Sequence, residues 1–132
     1  MIVVDTSALM AIALDEPQAE ACAAALEVES EAAISAATLA EALIVAGRRD
    51  RAEEIAAMID LLGFEVVPVT EASARRIAAA YAQWGKDVHP AGLNFGDCFA
   101  YELARERDCP LLFVGEDFAK TDVQPALTAT AR

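Results

Sequence analysis

Short apolar, β-branched runs alternate along this chain with longer segments whose apolar positions recur at helical spacing. Ile2-Val3-Val4 opens the chain as a buried strand and stops at Asp5. Residues 7–14 read as a helix, and Pro17 opens a second one that runs to about residue 28. Residues 32–35 form a short second strand, followed by helices at about 37–48 and 50–62. In the latter, Ile55, Met58, Ile59 and Leu62 make an i, i+3, i+4, i+7 stripe, the mark of one buried face. Residues 65–69 are strand-like, and 70–84 form a helix with Ile77, Tyr81 and Trp84 on one side. The segment 85–96 gathers three glycines, one proline and the single histidine, so it is the one irregular loop of any length. A helix at 94–108 carries Phe99 and Leu103 four apart. Residues 111–114 are an apolar strand, and Val123 starts a short last strand in an otherwise ambiguous end. Strands alternating with helices predict an α/β fold in three layers: a mostly parallel sheet of four to five strands with helices on both faces.

Length sets the number of domains. A chain of 132 residues supports one core, so residues 1–132 are expected to form one domain. Alanine supplies 31 positions against only 6 Gly and 5 Pro, which favours helix and short connections. The longest stretches free of Asp, Glu, Lys and Arg are nine residues, as at 6–14, far short of the roughly 20 that a membrane span needs. No cationic segment precedes Leu9, so a secretory leader is not expected. Cys22, Cys98 and Cys109 are odd in number and lack CxxC spacing, which fits a reducing compartment, the cytoplasm, and neither a disulfide framework nor a zinc knuckle. The formal net charge of −12 excludes a broad basic nucleic-acid face. It leaves open a phosphodiester substrate reached through a metal ion.

The placement of four acids changes the picture. Asp5 ends the first strand and Asp117 follows the strand at 111–114, and ligands of open α/β sheets bind outside the carboxyl ends of strands. Glu41 lies in the helical stretch 38–45, which is apolar nearly all round and so expected to be buried, with no Lys or Arg within four residues. Asp97 has Leu93, Asn94, Ala100 and Tyr101 as its helical neighbours, none of them cationic. Each acid alone has a structural explanation. Thr38-x-x-Glu41 fits a capping box, Asn94-x-x-Asp97 resembles one, and Asp5 and Asp117 can cap the elements after them. Taken together they point to convergence. Two unit charges about 4 Å apart repel by about 4 kcal/mol at an effective dielectric near 20. A converged set then needs raised pKa values or a cation, and hard oxygen donors without His or Cys favour Mg²⁺ or Mn²⁺ over zinc. A divalent ion so held suits phosphoryl hydrolysis.

Four segments carry a family resemblance: Ile2-Val3-Val4-Asp5-Thr6-Ser7-Ala8-Leu9, Thr38-Leu39-Ala40-Glu41, Leu93-Asn94-Phe95-Gly96-Asp97-Cys98, and Gly115-Glu116-Asp117-Phe118 with Thr121-Asp122. In this order the chain resembles the PIN-domain ribonucleases, in particular the VapC-like toxins of type II toxin–antitoxin pairs. The resemblance implies metal-dependent endonucleolytic cleavage of RNA. It implies that Asp5, Glu41, Asp97 and Asp117 hold Mg²⁺ (or Mn²⁺) and the attacking water, with Asp5 and Asp97 the most direct ligands. Thr6 or Ser7 would support the first acid, and Asn94 would orient the loop before Asp97. Glu116 and Asp122 compete with Asp117 for the late position. The implied partners are an RNA substrate (tRNA or ribosomal RNA, read at single-stranded loops), a VapB-like antitoxin that often places a basic residue in the acidic cup, and a second copy of the chain.

The remaining polar residues read more plainly. His89 sits in the loop without a Ser or Cys motif, and Cys98 reads as a small packing residue. Arg48, Arg49, Arg51, Arg75, Arg76 and Lys86 are local basic excesses that suit either RNA phosphates or a solvated face. Tyr81 and Trp84 fit a core or a dimer contact better than a base-stacking platform. Two other functions remain in view. One is a PIN-like module that binds without catalysis. The other is a flavodoxin-like phospho-acceptor domain, which would want a second acid near Asp5 where Thr6-Ser7 stand, and a Lys placed otherwise than Lys120. A haloacid-dehalogenase-like phosphatase would need an acid where Ser7 stands.

Overall fold

A computed structural model describes residues 1–127 of the chain; the expected ambiguous end at 121–132 thus lies partly outside the described residues. Its elements are β1 (Ile2–Val4), α1 (Thr6–Ala13), α2 (Ala19–Val28), β2 (Ala32–Ser35), α3 (Ala36–Gly47), α4 (Ala52–Leu61), β3 (Glu65–Val67), α5 (Glu71–Trp84), α6 (Phe95–Arg107), β4 (Leu111–Leu112) and a 3₁₀ turn at Phe118–Lys120. All four strands are parallel, in the order β3-β2-β1-β4.

Alternation along the strands builds the layers. Ile2, Val4, Ile34 and Leu112 point to one face and pack with Leu9, Cys22, Leu26, Ile55 and Ile59 of α1, α2 and α4. Val3, Ala33 and Leu111 point to the other and pack with Ile77, Cys98, Tyr101 and Leu103 of α5 and α6. With both faces covered, the sheet is the three-layer α/β arrangement that the alternation of elements predicted. The expected fifth strand reduces to a single bridge between Leu111 and Pro125. Leu111 N donates to Gln124 O and Ala126 N to Leu111 O, but Pro125 has no N–H with which to extend the ladder.

Element ends differ from expectation where a side chain or proline intervenes. β3 stops at Val67 because Pro68 cannot donate to a ladder. α1 begins one residue early, at Thr6, because Asp5 caps it. β4 stops at Leu112, and Val114 N turns out of the sheet to donate to Ser7 Oγ at 2.9 Å. The capping box expected at Thr38-x-x-Glu41 does not form. Ser35 caps α3 instead, accepting from Ala37 N at 3.3 Å, which puts Thr38 inside the first turn. Nor is the stretch 38–45 buried all round: Ile44 is 59% exposed on its outer face. The box at Asn94 and Asp97 does form.

Strand order fixes where a ligand can sit. The chain steps from β1 to β2 to β3 in one direction, then returns to place β4 on the far side of β1. The two directions diverge at β1, and crevices at such switch points open beyond the carboxyl ends of the strands. A flavodoxin-like order would instead place β1 between β2 and β3. Between α5 and α6, Trp84 Nε1 donates to Tyr101 Oη at 2.9 Å, and Tyr101 donates on to Asp122 Oδ1 at 2.5 Å. This tie fastens the segment after β4 to α5 and α6. Tyr101→Phe removes both bonds and leaves Trp84 Nε1 without its acceptor, so it is expected to lower stability by about 1–3 kcal/mol in urea unfolding. An unchanged midpoint would show that the tie carries no stability.

Candidate active site

Asp5 occupies the switch point. It leaves β1 in extended conformation and caps α1, with Oδ2 accepting from Ser7 N at 3.0 Å and Ser7 Oγ at 2.7 Å. Ser7 Oγ in turn accepts from Val114 N, so one hydroxyl ties the carboxylate at the end of β1 to the chain leaving β4. The other oxygen, Asp5 Oδ1, is buried and has no hydrogen-bond partner. Burial, with a smaller push from the charges of Asp97 and Glu41, raises the Asp5 pKa to about 6 against the pull of the two Ser7 bonds.

Glu41 comes from the second turn of α3 and is half-buried. Thr6 Oγ1 donates to its Oε1 at 2.7 Å, a bond between residues 35 apart in sequence. Gly96 stands against the same carboxylate: a Cβ built at Gly96 would lie 2.5 Å from Glu41 Oε2. A glycine in the first turn of α6 thus lets the helix backbone close onto the acid. Asp97 follows at once. Its Oδ2 accepts from Asn94 N at 3.0 Å while Asn94 Oδ1 accepts from Asp97 N at 2.8 Å, a reciprocal box that fixes the carboxylate's orientation. Burial raises the pKa of Asp97, its bond to Asn94 lowers it, and the charges of Glu41 and Asp117 raise it again.

Asp5, Glu41 and Asp97 therefore share one edge and feel one another's charge, with Asp117 within reach of Asp97 on the exposed rim. Gly115, at φ +114°, provides the backbone turn that precedes Asp117, and Asp117 makes no side-chain cap. Of its rivals, Glu116, exposed like Asp117, is not among the charges acting on Asp97, and Asp122 is committed elsewhere, to Tyr101 and to Arg105 Nη2 at 3.7 Å. None of the four acids is in a salt bridge among the described residues. Nor, among the described residues, do any three His, Cys, Asp or Glu side chains stand as a ready ligand cluster.

The donor set fits a hard divalent cation. It offers carboxylate oxygens only, one of them buried and unpartnered, in a setting that penalises the charge of Asp5 and Asp97 and, among the described residues, pairs none of the four acids in a salt bridge. The other candidates fall away. Burial pushes the Cys98 thiol up to about 11, helped by the charge of Asp97, so it is no nucleophile. His89 Nδ1 accepts from Ala91 N at 3.0 Å and its ring packs edge-on against Trp84, which assigns it to the loop's structure. Of the basic residues, Arg76 is bound to the buried Glu102 at 2.8 Å and Arg75 to Glu71. Two site residues had no specific signal in the sequence: Gly96, whose need appears only against Glu41, and Ser7 as a link to β4.

Residues 2–124 match the PIN domain model, and the chain belongs to the PIN-domain family. Within it the chain stands among VapC ribonucleases, which are nuclease hydrolases. It is 45% identical over 130 residues to Ribonuclease VapC28 of Mycobacterium tuberculosis, covering 96% of this chain and 98% of that one. The fold is shared with the crystal structure of Mycobacterium tuberculosis VapC20, a sarcin–ricin loop cleaving toxin, at a TM-score of 0.76 and 18% identity, over 95% of this chain and 100% of that one. It is shared too with a toxin–antitoxin complex from Klebsiella pneumoniae, at 0.68 and 20%, over 92% and 93%.

Two outcomes follow from this geometry. An Asp5 pKa raised in the folded state makes its stabilising contribution at low pH and loses it as pH rises through about 6. Asn at this position removes that dependence. In metal-free protein, Asp5→Asn minus wild-type stability is therefore expected to be greater at pH 7.5 than at pH 4 by up to about 3 kcal/mol, measured by urea unfolding. Equal differences at both values would contradict the buried charge. Gly96→Ala should push the Glu41 carboxylate aside while costing under about 1 kcal/mol of stability, because the group that yields is the end of a flexible side chain. Cleavage of RNA at the wild-type rate by Gly96→Ala would show that the close approach is dispensable.

Proposed function

We propose that this chain is a Mg²⁺-dependent endoribonuclease that hydrolyses RNA phosphodiester bonds and acts as the toxin of a toxin–antitoxin pair. One observation carries the reading: acids from the end of β1, from two helices and from the segment after β4 share the switch-point edge without a salt-bridge partner among the described residues, and a buried oxygen of Asp5 has no donor. Asp5 and Asp97 are the residues that would hold the ion, with Glu41 and Asp117 completing the acidic set. Bound there, a divalent ion polarises the phosphate, lowers the pKa of a water and stabilises the leaving oxygen; Mn²⁺ can substitute.

The chain's own residues orient this set. Ser7 holds Asp5 by two bonds to Oδ2, Thr6 holds Glu41, and the Asn94 box holds Asp97. At a net charge of −12 the protein repels RNA at long range, so a cation in the crevice is also what lets the substrate approach. Single-stranded loops of tRNA or ribosomal RNA are the substrate class that the VapC resemblance implies.

The VapC relatives and the toxin–antitoxin neighbour support an antitoxin partner, with a basic residue suited to the acidic cup. Phe95 (72% exposed), Ile44 and Tyr81 supply apolar surface at the margin of the site for that partner or for a second copy of the chain. The cytoplasm fits three free cysteines. No helix among the described residues is long and apolar enough to cross a membrane.

RNA ends are to be mapped after induction of wild type and of Asp97→Asn, and cleavage assayed with purified protein and Mg²⁺. Loss of about 100-fold or more in cleavage by folded Asp97→Asn, with loss of growth arrest, is the expected result. Equal cleavage by the variant would refute the assignment, and growth arrest without new RNA ends would indicate a binder that does not cut.

A further inference from the structure

Among the described residues, two buried side-chain polar atoms have no hydrogen-bond partner: Asp5 Oδ1 and Thr38 Oγ1. Buried polar atoms are almost always paired, so each one left alone needs an explanation. The two belong to one neighbourhood. Register between β1 and β2 pairs Val3 with Ala33, which puts Asp5 level with Ser35, three residues before Thr38. Thr6, the residue after Asp5, spans the gap: its Oγ1 donates to Glu41 Oε1 at 2.7 Å and lies 3.4 Å from Thr38 O.

The usual uses of a threonine in a helix's first turn are closed to Thr38. The cap is taken by Ser35, and no bond back to a carbonyl satisfies the hydroxyl. At 1% exposure no bulk water reaches it. Valine would fill the same volume without a polar atom to satisfy, so the hydroxyl points to a partner supplied from outside the chain. Resting on the metal-site reading above, we propose that Thr38 is a positioning residue of that site, its hydroxyl bonding the hydration shell of the divalent ion. Magnesium takes only one or two carboxylates directly and keeps several waters, whose hydrogens need acceptors fixed in the protein. Thr38 Oγ1 has two free lone pairs on a stiff β-branched side chain, one helical turn from Glu41.

The test is Mn²⁺ titration of metal-free protein, with free Mn²⁺ read by electron paramagnetic resonance, on wild type, Thr38→Val, Thr38→Ala, Thr38→Ser and Asp5→Asn. Thr38→Val and Thr38→Ala are expected to weaken Mn²⁺ binding by about 10- to 100-fold, and Thr38→Ser to keep it within about threefold of wild type. If Thr38→Val does not fold by circular dichroism, Thr38→Ala against Thr38→Ser decides. Wild-type affinity in the variants lacking the hydroxyl, or Thr38→Ser binding as weakly as they do, overturns the proposal. Should Asp5→Asn lose binding while Thr38→Val does not, only the role of Thr38 falls. Should Asp5→Asn bind as wild type does, the metal site itself falls, and this inference with it.

Discussion

Everything at the functional edge depends on setting carboxylates along one rim, Asp5 buried and Glu41 and Asp97 partly so, with no salt bridge among the described residues to neutralise them. Burial raises the pKa of Asp5 and Asp97, and Glu41 adds repulsion to both. Such an arrangement subtracts from the stability of the chain alone and is tolerated because both faces of the sheet are covered by packed helices. A cation held there, as proposed above, would reverse the sign of the cost, since a ligand that binds only the folded state stabilises it.

The neutral groups around the acids then acquire a common purpose. Ser7, Thr6 and Asn94 are uncharged donors or caps, and each fixes one carboxylate in place without cancelling its charge. A lysine or arginine in any of these places would compete with the metal. Gly96 contributes by lacking a side chain, which lets the first turn of α6 lie against Glu41. Asp5 caps α1 and Asp97 completes the Asn94 box, each through Oδ2, and the other Asp5 oxygen is left without a donor.

The strand order turns this local chemistry into a site. With β1 between β2 and β4, the helices that follow β1 and β2 and the loop that follows β4 all begin at one rim, and α6 packs across the same strands. The acids enter on different elements, so no pair of them is forced together by sequence proximity. An exposed aromatic face at Phe95 adjoins the rim, and it gives an acidic protein an apolar surface for contact where electrostatics would oppose a polyanion.

Sequence alone determined what is encoded within a few residues: the alternation that made strands and helices, the Asn94–Asp97 box, and acids at Asp5, Glu41 and Asp97 without cationic neighbours. Those features follow from side-chain period and capping, which are local. Tertiary structure alone decided which distant groups meet. It sent Asp122 to Tyr101 and away from the rim, joined Thr6 to Glu41, carried Val114 to Ser7, and took the cap of α3 from Thr38 and gave it to Ser35. The fifth strand shrank to one bridge for a local reason, the missing N–H of Pro125. Such partnerships are set by the order and register of strands, and these are fixed by burying apolar faces across the whole sheet, which no window of sequence contains.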